Sequence, residues 1–132
     1  MDFIDFKKFE ECEIPSQVYG KIANGINIYG ICNSKKCPAY GKESIASLKG
    51  VKTFVLNEEI LSIKCPECNL IIKPLTVGFY LCNYKIEGEY IYGGIIKKLC
   101  INGKSEKDKM IKYYNPNNNE KYTFIKLIIK VS

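Results

Sequence analysis

The stretch KYTFIKLIIKV near the carboxy-terminal end alternates with period two. Thr123, Ile125, Leu127, Ile129 and Val131 fall on one face, and Tyr122, Phe124, Lys126, Ile128 and Lys130 on the other. This predicts a strand whose first face looks into a core. Phe124 and Ile128, on the mixed face, are expected to lie under the amino-terminal segment or a partner. Residues 75–101 form the longest β-like stretch, LTVGFYLCNYKIEGEYIYGGIIKKLCI. Gly88 is a turn signal there, so the stretch reads as a hairpin with arms near 75–87 and 89–101. Alternation puts Tyr80, Cys82, Tyr84 and Ile86 on one face.

Upstream, GINIYGIC reads as a strand, and SIASL and KTFVL as two more with Gly50 at the turn between them. NEEILSIKC reads as a loop or one helical turn followed by a strand. NGKSEKDK at 102–109 and NPNNN at 115–119 read as polar loops. Residues 1–23 form an amino-terminal arm, read either as a loosely ordered terminus or as a short amphipathic helix on which Phe3, Phe6 and Phe9 recur every third residue. Residues 24–132 are expected to form a single β-rich domain. The fold class is therefore mainly β: a small, metal-stapled antiparallel sheet resembling a zinc ribbon, with a short helix at the amino terminus.

Composition changes this picture in one respect. The 132 residues carry a formal charge of +6, and all 20 basic residues are lysines. Bidentate reading of guanine is mostly arginine work, so base-specific DNA recognition is disfavoured. Nonspecific attraction to nucleic acid remains compatible with the charge. The amino-terminal stretch has no apolar core of the signal-peptide kind, and no apolar run approaches the ~20 residues of a membrane span. The expectation is an intracellular protein, cytoplasmic or nuclear, with no membrane partner.

In such a compartment thiols stay reduced. The seven cysteines are an odd number, which argues against a disulfide framework. Four of them form two close pairs. Cys32 and Cys37 are spaced C-x4-C, and Cys65 and Cys68 are spaced C-x2-C after 27 intervening residues. Each pair presents two thiolates from one turn, and two such knuckles complete the tetrahedron that zinc prefers. Pro38 and Pro66 help fix the turns. Asn69 stands where a knuckle favours glycine, and asparagine tolerates the left-handed conformation better than most residues. One structural Zn2+ held by Cys32, Cys37, Cys65 and Cys68 is expected, with Lys35, Lys36 and Lys64 beside the ligands to offset the tetrathiolate charge. Iron is the lesser alternative. Cys82 reads as a buried thiol, or alternatively as an extra or replacement ligand. Cys12 and Cys100 have no partner at ligand spacing. With no histidine, seven cysteines cannot fill the eight places of a two-zinc RING.

The two knuckles with their flanks resemble a poorly characterised cysteine-rich module of protists and other microbes. Gly25, Asn27, Gly30, Cys32, Cys37, Ala39, Tyr40, Gly41 and Lys42 match its first half. Cys65, Pro66, Cys68, Pro74, Gly78, Phe79, Cys82 and Tyr84 match its second. The resemblance spans about residues 20 to 90. It implies a zinc-bound, β-rich interaction module with a ubiquitin-pathway link, because such modules often stand beside ubiquitin-like domains.

The expected function is a noncatalytic zinc-binding scaffold for a protein partner, with the ten tyrosines supplying contact area. A nucleic-acid-binding ribbon that uses dispersed lysines and tyrosines is the first alternative. A structural or assembly protein of a virus or parasite, suggested by the compositional bias, is the second. An enzyme is disfavoured: the commonest general base is missing, and four thiolates close a zinc site.

Overall fold

The computed structural model describes residues 5–12, 19–49, 52–114 and 123–132. In chain order these form β1 (Asp5–Cys12), β2 (Gly25–Ile31), β3 (Glu43–Lys49), β4 (Thr53–Val55) and α1 (Leu56–Glu59). A 3-10 turn (Ile60–Ser62), β5 (Lys73–Tyr92), β6 (Ile95–Tyr114) and β7 (Thr123–Val131) follow. The described strands make one antiparallel sheet around β5. One edge of β5 pairs with β6, and the other pairs first with β2 and then with β7. β3 extends the sheet beyond β2, β4 beyond β7, and β1 beyond the far end of β6.

The mainly β class is as the sequence predicts, but several elements differ. The amino-terminal segment is not helical over its described part: β1 is a strand paired with β6. Phe9 stays largely exposed, with its ring 5.7 Å from that of Tyr113. β3 and β4 do not pair with each other. Gly50 and the expected 115–119 loop lie outside the described residues.

Gly88 is not a turn. It sits in mid-strand, where a Cβ would meet the Lys126 carbonyl oxygen at 2.5 Å, so glycine is needed for β7 to approach. The hairpin turns instead at Gly93 and Gly94, with φ of +60° and +77°. Two successive positive φ values make the tight turn that matches strand twist.

The expected polar loop at 102–109 belongs to β6. Residues up to Ser105 pair with β5, and 106–109 then bulge opposite Leu81 alone. Leu81 is left-handed (φ +48°). Its N–H donates to Ser105 Oγ (3.2 Å), and that hydroxyl donates to the Lys109 carbonyl (2.9 Å), so one side chain closes the bulge. The bulge switches faces. Phe79 and Tyr84 both point into the main core and stack at 3.8 Å, whereas Tyr80 joins a smaller cluster with Tyr29, Ile45 and Met110.

β7 contains a second irregularity. Glu89 pairs with Lys126 but Tyr90 pairs with Phe124, which leaves Ile125 unpaired and exposed. Phe124 is therefore buried, 5.9 Å from the Tyr90 ring, while Leu127, Ile129 and Val131 keep their predicted core positions.

Candidate metal centre

The first knuckle begins where β2 ends. β2 is buried on both faces between β3 and β5, which fixes the position from which Cys32 leaves the sheet. Gly30 is required just before it: a Cβ there would meet Ile72 Cδ1 at 2.5 Å and the Lys73 carbonyl oxygen at 2.8 Å. That close approach brings the exit of the second knuckle against the entry of the first. Within the first turn Cys37 N–H donates to the Ser34 carbonyl (3.0 Å) and Gly41 N–H to the Cys32 carbonyl (3.0 Å).

The second knuckle follows the 3-10 turn. Cys65 N–H donates to the Leu70 carbonyl (2.8 Å), and Asn69 N–H donates to the Cys65 carbonyl (2.9 Å). Asn69 has φ +63°, the left-handed geometry its place after Cys68 predicts. The strand expected to lead into this knuckle is a single bridge, Lys64 to Ile71.

The four predicted ligands come together. The Sγ atoms of Cys32, Cys37, Cys65 and Cys68 all lie within 4.8 Å of one another. Cys32 and Cys68 sulfurs are 3.6 Å apart, and Cys37 and Cys65 sulfurs 3.8 Å. A disulfide needs about 2.05 Å, so these are separate thiols. A tetrahedral ion with ~2.3 Å bonds to sulfur sets its ligands ~3.8 Å apart, and both distances fit. Each sulfur of the first knuckle lies beside one of the second, so the set could hold a metal ion that ties the two turns together.

The surroundings favour a cation. Cys32, Cys37 and Cys65 are buried beside Ala39, Ile63 and Ile72, and Cys68 is half-buried. Burial pushes the Cys37 thiol up to about 12, against the pull of the Ala39 N–H. At Cys32 the Ser34 N–H favours the thiolate, but burial and the neighbouring Cys68 and Cys65 thiols leave the net shift upward. Burial also opposes ionisation of Cys65, but the N–H groups of Cys68 and Glu67, with help from the neighbouring thiols, bring it down to about 7. Four thiolates this close require a compensating positive charge. Lys35, Lys36 and Lys64 stand beside the ligands in sequence, and all are exposed.

The other cysteines lie elsewhere. Cys82 is outside the set of four; it is half-buried in β5 opposite Ser105, and burial pushes its thiol up to about 11. Cys12 ends β1 opposite Met110. Cys100 lies on the outer face of β6, in a shallow groove of about 300 Å³ with Glu87, Lys98, Lys126 and Ile128.

The tyrosines divide. Tyr29, Tyr84, Tyr90 and Tyr113 are core residues, and Tyr84 and Tyr113 share a hydroxyl hydrogen bond of 3.0 Å. Tyr40 and Tyr92 are exposed. Core packing thus accounts for much of the high count, a division that composition alone did not reveal.

No helix among the described residues is long and apolar enough to cross a membrane. Compared with family models, curated proteins and solved structures, the chain matches none.

Proposed function

We propose that this chain is a noncatalytic, intracellular interaction module whose two knuckles are stapled by one structural Zn2+. The observation that carries this reading is the meeting of four thiols from two distant turns at tetrahedral spacing. Zinc is favoured over softer or redox-active ions because an all-thiolate tetrahedron is its usual structural site. Cys32, Cys37, Cys65 and Cys68 would hold the ion, which would supply cross-linking rather than chemistry. Four thiolates leave no open position for a reacting water, and the chain has no histidine to serve as a base. The resemblance to a module found beside ubiquitin-like domains supports a protein partner over a nucleic acid.

Metal analysis by mass tests the reading. Purified chain should carry one zinc, and Cys65→Ala and Cys68→Ala should each lose it together with folded structure. Cys100→Ala should keep both. A chain that folds without metal, or keeps its zinc after either knuckle substitution, would contradict the proposal.

A further inference from the structure

Beyond the metal centre, the far end of the β5–β6 hairpin has an unusual composition. In the register Ile91 faces Ile96 and Tyr92 faces Ile95. Successive residues point to opposite faces, so Ile91 and Ile96 cover one side of the tip and Tyr92 and Ile95 the other. All four are exposed, at 38%, 63%, 36% and 62%. The turn projects outward, because a Cβ at Gly93 or Gly94 would meet nothing within 4 Å. β7 pairing stops at Ile91, and no described strand pairs with the outer edge of β6 over 95–105.

A tip that is apolar on both sides cannot be satisfied by one flat protein face. A fluid apolar medium wets both. The residues behind the tip set the sign of the surface. Lys97, Lys98 and Lys126 are exposed; Glu89 lies opposite Lys98 and Lys126, Glu87 shares their groove but is paired with Lys85 at 2.8 Å, and Lys97 Nζ stands 5.3 Å over the Tyr92 ring. This collar complements negative headgroups. Two residue steps of strand, at ~3.4 Å each, reach ~7 Å from Ile91 to the turn. That length matches the ~5–10 Å to which interfacial segments enter the boundary between headgroups and acyl chains. Tyrosine suits that boundary, with an apolar ring and a polar tip.

We propose that the hairpin tip is a peripheral membrane anchor: Ile91, Tyr92, Ile95 and Ile96 insert into an anionic lipid surface while Lys97, Lys98 and Lys126 contact the headgroups. This contact lies on the surface and spans nothing.

Co-sedimentation of the full chain with vesicles tests it. The chain should bind mixed phosphatidylcholine–phosphatidylserine vesicles, bind pure phosphatidylcholine more weakly, and lose affinity as salt rises. Tyr92→Trp would give the chain its only tryptophan, whose emission should shift to the blue on binding. Ile95→Asp and Ile96→Asp should each weaken binding by about tenfold or more, with metal content and circular dichroism unchanged. Leu61→Asp, also at an exposed position but outside the hairpin, should bind normally. Absence of binding to either vesicle would overturn the proposal, as would full binding by both tip variants. Self-association abolished by Ile96→Asp, without lipid binding, would assign the tip to a second copy and equally overturn it.

Discussion

The residues that matter most are the four knuckle cysteines and the backbone positions that let them meet. The spacing of the thiols and the conformation of Asn69 were legible in the sequence, because a knuckle is a local turn with local rules. The face exchange at Leu81 was not: leucine carries no signature of a positive φ. Two predictions belong at this scale. Asn69→Gly should cost less than about 1 kcal/mol, whereas Asn69→Val should cost about 2 kcal/mol or more from a β-branched residue at φ +63°. Chemical denaturation of the metal-loaded variants measures both. Zinc affinity should also depend on pH. In the metal-free chain Cys37 is raised to about 12 and Cys32 is raised as well, so both are protonated at neutral pH and must release protons to bind. Binding holds the thiolate form, so the stability it contributes should be present at neutral to alkaline pH and be lost as pH falls. Chelator competition across a pH series checks the sign, and affinity that rises on acidification would contradict it.

At the scale of elements, the strands were legible and their ends were not. GINIYGIC and the alternating carboxy-terminal stretch were both found as strands. The pattern around the lone Gly88 places the hairpin turn too early, although Gly93-Gly94 is the stronger signal for a two-residue loop. Gly88 instead serves a contact between β5 and β7 that no local pattern encodes. The Phe3, Phe6 and Phe9 spacing suggested a helix, but over the described part β1 follows the free edge of β6, which only the tertiary fold supplies. In β7, the slip opposite Tyr90 undid the predicted alternation at Phe124 and Ile125. Gly88→Ala should therefore destabilise the fold by about 1–3 kcal/mol through its clash with the Lys126 carbonyl. Gly94→Val should cost about 1–2 kcal/mol by placing a branched residue at φ +77°. Thermal unfolding would order these variants below the native chain.

For the whole molecule, the four-cysteine cluster sits at a junction. The first knuckle leaves the end of β2 and the second leads into β5, whose opening residues pair with β2. An ion held there would close a loop of more than thirty residues and fix the register from which the central strand starts. The apolar core around Phe79, Ile86 and Leu127 is continuous with Cys32, Cys37, Ile63, Cys65 and Ile72. Chelation should accordingly remove amide protection at residues 32–42 and 63–72 together with the strands that share this core. Hydrogen exchange resolved by segment would show this, and a sheet that keeps its protection without metal would contradict it.

The central claim is that Cys32, Cys37, Cys65 and Cys68 jointly bind one zinc ion. X-ray absorption at the zinc edge of the purified chain tests it most directly. Four sulfur neighbours at ~2.3 Å and no lighter ligand is the predicted spectrum. Nitrogen or oxygen in the coordination shell, fewer than four sulfurs, or no bound zinc would contradict it.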